Sequence, residues 1–245
     1  AVIRLRVRPE RAAWAGAVFW IALAGLTPTG LIMAAIVGVV SATVPGPGFS
    51  RIRCTATVLG IAAAAALPWL TASALGSALT EPQAAGLAPF AARAEPGLAT
   101  LGSLAGLGGI WNAEAVPASR ATAFAVVGTV VLLSVVACGM PVLVRRRVAE
   151  PLVMLAVGAV LLPAAMATGP GMAILRAGVD AVPGLAVLRD GQKWVACAMP
   201  AYALAGAAAV LVLGRWMRPA VAALVCCVAL VAVLPDLAWG LGGQV

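Results

Sequence analysis

Apolar runs of helical length alternate along this chain with short basic, Pro/Gly-rich or mixed polar breaks. A spanning helix needs ~20 mostly apolar residues, with ~17 as a lower limit. The first apolar block, Ala12–Val44, exceeds one span and is broken by Thr27-Pro28-Thr29-Gly30. Proline and glycine together mark a turn, so the pattern predicts helices over 12–27 and 30–44, either short spans or a re-entrant pair. Pro45-Gly46-Pro47-Gly48, with Arg51 and Arg53 behind it, reads as a loop. Further helices are predicted over 54–75, 120–143, 151–168, 194–213 and 219–239, with a kink at Pro163. Two stretches break the rhythm. Residues 76–118 and 169–192 carry scattered charges and many glycines and prolines, and read as long loops, functional or disordered. Leu87–Ala94 and Leu98–Leu107 have the size of short interfacial helices. The expected fold is all-α: one polytopic transmembrane bundle over 1–245, with about seven membrane helices and no internal repeat.

Composition agrees. Of 245 residues 63% are hydrophobic and 10% charged, with a mean hydropathy of +1.08. A soluble domain averages ~25% charged, so polar surface is too scarce here to cover a water-soluble globule. There is no histidine, which excludes Ser-His-Asp and Cys-His catalysis and histidine metal ligation. The cysteines Cys54, Cys138, Cys197, Cys226 and Cys227 lie in or beside apolar runs and read as small packing residues. The net charge of +8 sits in short clusters between apolar runs without an aromatic-basic platform, which argues against nucleic acid. The chain starts at Ala1 and closes on Gly240-Leu241-Gly242-Gly243, and is expected to be a processed or truncated piece of something longer, or to work with a partner subunit.

Basic residues also orient the bundle. With the N-terminus inside and seven crossings, eleven of sixteen fall on inner segments: Arg4, Arg6, Arg8, Arg11, Arg51, Arg53, Arg145–Arg147, Arg215 and Arg218. The positive-inside rule then predicts a multi-pass plasma (inner) membrane protein with a cytoplasmic N-terminus and an extracytoplasmic C-terminus. Both long loops face out, together with Glu81, Glu95, Glu114, Asp180, Asp190 and Asp236.

Two outer segments hold the candidate chemistry. Arg189-Asp190-Gly191-Gln192-Lys193 includes the only lysine of the chain. Arginine offers a planar fork to phosphate oxygens and lysine a point charge. If the helix has begun by Arg189, positions 189 and 193 share a face, and two cations on one face repel unless an anion separates them. Asp190 and Gln192 would support the site by capping. Snorkelling plus capping, with no ligand, is the competing reading. The second segment, Gly108-Gly109-Ile110-Trp111-Asn112-Ala113-Glu114, precedes Arg120 and contains the only asparagine. Trp111 is suited to stacking on a sugar ring, with Asn112 and Glu114 bonding hydroxyls; an interfacial tryptophan anchor and a solvated acid are the plain alternatives. No nucleotide, zinc or nucleophile-elbow motif occurs.

The short helices broken at Thr27–Gly30, the helix ending near Pro68-Trp69 and these two loop motifs together resemble actinobacterial multi-spanning proteins related to GT-C type glycosyltransferases. The resemblance covers most of the chain as an architecture and is specific at the two loop motifs. It implies cell-envelope glycan assembly from a polyprenyl-phosphate-linked sugar donor at the outer face, among membrane lipids. It makes Arg189 and Lys193 donor-phosphate contacts, and Trp111, Asn112, Glu114 and Arg120 acceptor-side residues. Such enzymes carry a catalytic acid in the first outer loop, and the turn at Thr27–Gly30 has none, so the resemblance implies either a C-terminal portion whose catalytic half precedes residue 1 or a non-catalytic relative. No catalytic residue carries over, no metal ligand set is identified, and the need for a divalent metal stays open. A flippase or transporter subunit for an anionic lipid-linked substrate and a non-catalytic structural subunit are the alternatives.

Overall fold

The Pro-Gly breaks of the sequence become helix starts. The computed structural model describes residues 1–75 and 86–238; Glu81 and the tail 240–243 lie outside them. Among the described residues the regular structure is helical, with no strand. The α-helices are α1 (Val2–Val7), α2 (Arg11–Ala24), α3 (Pro28–Ala42), α4 (Arg51–Leu75), α5 (Thr100–Ala105), α6 (Phe124–Leu143), α7 (Glu150–Met166), α8 (Gly169–Ala181), α9 (Met199–Leu213), α10 (Pro219–Ala232) and α11 (Pro235–Ala238). Proline opens α3 at its first position, where its missing N–H costs nothing. The Thr27 side chain accepts from Gly30 N at 3.1 Å and caps that helix. Helix α3 therefore begins two residues before the expected 30.

Among the described residues three helical stretches are long and apolar enough to cross a membrane: Arg51–Leu75, Phe124–Leu143 and Gly191–Leu213. A fourth is possible by length only if α7 and α8 count together, and they are bent by 92°. By length, three or four therefore qualify among the described residues, because α2, α3 and α10 have 14, 15 and 14 residues. At 1.5 Å per residue each reaches about 21–23 Å, short of a ~30 Å hydrocarbon core. Large apolar side chains face outward on the long helices, among them Leu59 and Leu67 on α4, Val127 and Val130 on α6 and Leu211 on α9. Apolar surface on that scale suits lipid rather than water.

The expected outer loop 169–192 is largely helical. Thr168 caps α8 through Gly171 N at 3.3 Å, and Pro170 lies in its first turn. Leu175 and Val179, one turn apart, are buried, while Arg176 and Asp180 face out. A Cβ on Gly171 would overlap the Ala165 carbonyl, so glycine lets the chain turn sharply here. The break falls at 167–168, after α7 has run through Pro163.

The chain divides into two compact units: Ala1–Pro82 with Arg146–Leu155, and Gln83–Arg145 with Ala156–Val245. The reason is that α1–α4 close a core of their own. Ala13, Ala17 and Ile21 of α2 and Cys54, Val58, Ala62 and Ala66 of α4 are buried at four-residue intervals, with Leu5 of α1 fully enclosed. Small side chains at that spacing let helices approach closely. Arg6, counted above among orientation charges, is buried instead. Its Nε donates to Val44 O at 2.9 Å and its Nη1 to Phe49 O.

In the second unit α6 packs along α9, and α10 lies against both. Ala201, Ala205, Ala208 and Ala209 form the buried stripe of α9. A Cβ on Gly139 would overlap the Ala205 carbonyl oxygen, so α6 and α9 touch backbone to backbone there.

Candidate functional site

Helices α6 and α9 begin, and α10 finishes, at the end of the second unit where residues 86–121 fold. Tyr202 in the first turn of α9 donates to Ala105 O at 3.0 Å. Ser119 donates its hydroxyl and its N–H to the carboxylate of Asp236, in the first turn of α11. These contacts tie the segment before α6 to α9 and to the segment after α10. The two sequence motifs are therefore neighbours in space.

Their meeting point is an aromatic strip. Phe90 lies in a single turn, Ala88–Phe90, with Pro89 as its second residue. Its ring centroid is 4.3 Å from that of Trp111, tilted by 58°. The guanidinium carbon of Arg189 lies 4.2 Å from the Phe90 centroid. Arg189 is exposed, and Phe90 and Trp111 are half-buried. A cation over a ring face is held by the ring quadrupole, while the outward N–H groups of the guanidinium stay available. Phe90 was not among the residues singled out from sequence. No local signal marks it, since its partners come from segments far apart in the chain.

Lys193 stands differently. Residues Pro183–Leu188 and Gly191–Ala198 are 3-10 turns, in which positions three apart eclipse. Lys193 therefore shares a face with Asp190, not with Arg189, and its ammonium pairs with the Asp190 carboxylate. The helical stretch begins at Gly191, after Arg189, so the condition for an i,i+4 relation between 189 and 193 is not met. Capping by Asp190 is not formed; its side chain makes no bond to the helix start. Lys193 keeps about half of its side chain in the open, at 49%. The other Asp190 oxygen, Gln192 Oε1 and Trp194 Nε1 are enclosed without a hydrogen-bond partner.

On the Trp111 side, Asn112 accepts from Glu114 N at 3.0 Å and caps the turn Ala113–Ala115. Glu114 is exposed. Arg120 is occupied. It pairs with Glu95 at 2.6 Å, its Nε donates to Glu95 Oε1 at 3.1 Å and its Nη2 to Gly106 O at 3.1 Å. Glu95 also accepts from Gly109 N at 3.2 Å, and its own N–H donates to Ser103 Oγ at 2.9 Å. Side-chain exposure is 13% for Arg120 and 6% for Glu95, so this ion pair is a buried strut. A Cβ on Gly108 would overlap both charged groups. The loop passes over the pair with Leu107 in the left-handed region, at φ 62°, a conformation costing a non-glycine residue roughly 1–2 kcal/mol. Arg120 is therefore engaged inside the 95–109 loop, by Glu95 and the Gly106 carbonyl.

The arrangement can bind an anion at Arg189 and an apolar ring face along Phe90 and Trp111. Among the described residues no three Cys, Asp or Glu side chains gather as a metal site. No protein-family model, curated protein or solved structure matches the chain.

Proposed function

We propose that this chain is a membrane component of a GT-C-like glycosyltransferase that takes a polyprenyl-phosphate-linked sugar on the extracytoplasmic face. The observation carrying this reading is the strip Arg189–Phe90–Trp111. It joins a phosphate-suited guanidinium to a sugar-suited tryptophan at one end of the α6–α9–α10 layer. In this reading the lipid phosphate meets Arg189, with Lys193 beside Asp190 as a second, partly neutralised cation. Trp111 stacks on a sugar ring, and Asn112 and Glu114 border it. As a leaving polyprenyl phosphate gains charge, a preorganised guanidinium stabilises it.

The same proposal takes all seven apolar segments as crossings, with the short ones accommodated by local bilayer thinning and α8 lying along the outer interface. The N-terminus is then cytoplasmic and the strip extracytoplasmic. Mass spectrometry of lipids extracted with the purified protein tests it. A co-purifying polyprenyl-phosphate lipid supports the reading; its absence, together with no capture of added polyprenyl phosphate, overturns it.

The transporter reading draws on a different observation, the 92° break between α7 and α8, since interrupted helices line substrate sites in many carriers. Sugar transfer in detergent, with no gradient present, favours the transferase.

A further inference from the structure

We propose that the first unit carries a second, independent lipid site: the end formed by α1 and the starts of α2 and α4 docks on the headgroups of an anionic phospholipid leaflet. Helix α1 is pinned by its apolar side. Leu5 is fully enclosed and Val2 nearly so, and backbone bonds from Gly48 N to Arg6 O at 2.7 Å and Phe49 N to Leu5 O at 3.1 Å fix it to the 44–49 turn. Arg6 points inward onto the Val44 and Phe49 carbonyls. Arg4, Arg8, Arg11, Arg51 and Arg53 are all exposed around this end, against one acid, Glu10.

Helix polarity sharpens the imbalance. A helix N-terminus carries a partial positive charge and favours anions. Helices α2 and α4 both start with arginine, and neither has an acidic residue in its first turn. At α4 positive side chains thus sit on a positive helix end with no acid beside them, an arrangement that a layer of phosphates relieves, while at α2 the N-cap residue is Glu10. Trp14 flanks the charges, 5.7 Å edge-on from Phe49 and partly exposed, as an aromatic side chain at the headgroup level does. Next to Arg51 and Arg53, Ile52 is 82% exposed, which suits insertion just below the headgroups.

A cation held near an anionic leaflet strengthens partitioning about fivefold (about 1 kcal/mol). The test uses the full chain in micelles holding equal amounts of phosphatidylglycerol and phosphatidylcholine, with native mass spectrometry counting the lipids retained. The wild type is expected to retain phosphatidylglycerol preferentially. Substituting Arg4, Arg8, Arg11, Arg51 and Arg53 together by Gln should cut that preference tenfold or more, whereas Arg6→Gln lowers thermal stability and leaves the preference in place. Raising salt from about 0.05 to about 0.5 M should erode the wild-type preference, a readout that needs no variant to fold. Equal retention of the two lipids, a preference that survives the five substitutions, or indifference to salt would overturn the proposal. Displacement of the lipid by excess glycerol phosphate would assign the site to a soluble phosphate and overturn leaflet docking as well.

Discussion

Arg189 and Phe90 stand in cation–π contact, the guanidinium carbon 4.2 Å from the ring centroid, although they belong to segments on opposite sides of α6, α7 and α8 in the chain. The contact fixes the direction of an exposed arginine without consuming its hydrogen-bond donors. Removing that arginine should therefore affect binding far more than folding. A hydrogen bond to a charged group contributes about 1.5–3 kcal/mol, so Arg189→Ala should weaken capture of a lipid phosphate by about 10- to 100-fold. An exposed cation–π contact is worth only about 0.5–1 kcal/mol, so the melting temperature should move by a few degrees. Arg189→Lys should recover only part of the affinity, because a point charge cannot chelate two oxygens.

Lys193 needs a different test, since it is half-exposed yet paired with the buried Asp190. Lys193→Ala leaves a buried carboxylate without its partner and should lower both stability and binding. Adding Asp190→Asn removes the stranded charge. The double variant should regain stability but not binding, as read by thermal unfolding and lipid capture side by side. Full recovery of both would make the pair purely structural.

The Glu95–Arg120 strut predicts a large and asymmetric stability effect. Breaking a buried pair from one side costs about 3–5 kcal/mol. Arg120→Ala or Glu95→Gln alone should lower the melting temperature in detergent strongly. The double change Glu95→Gln/Arg120→Met should recover much of that loss, because no uncompensated charge remains. Equal loss in single and double variants would contradict the strut.

Gly139 tests the α6–α9 contact. A side chain there overlaps the Ala205 carbonyl, whereas Gly206 on α9 and Gly158 on α7 face open space. Gly139→Val should abolish folded protein on size-exclusion chromatography. Gly206→Ala and Gly158→Ala should be neutral or stabilising by up to about 1 kcal/mol.

The sequence exposed some of this and hid the rest for identifiable reasons. The helical class and the breaks at Thr27–Gly30 and Arg145–Arg147 follow from apolar run length and local Pro, Gly and Arg signals. Helix α8 was within reach: Thr168, Pro170 and the Leu175/Val179 spacing are helix-start and helix-face signals, outweighed by the glycines around them. The geometry at 189–193 was not, since nothing in the residues separates a 3-10 turn from the first turn of an α-helix there. The Glu95–Arg120 pair and the placement of Phe90 depend on how an aperiodic stretch folds back on α6 and α9, which local patterning does not encode.

The most direct test of the central claim is capture of polyprenyl phosphate by the full chain, followed by native mass spectrometry for the wild type and for Arg189→Ala/Phe90→Ala. With excess phosphatidylglycerol present to fill the arginine-rich end of the first unit, the account predicts one polyprenyl phosphate held per wild-type chain and at least tenfold weaker capture by the variant at unchanged helical content. Equal capture by both, or none by the wild type, would contradict it.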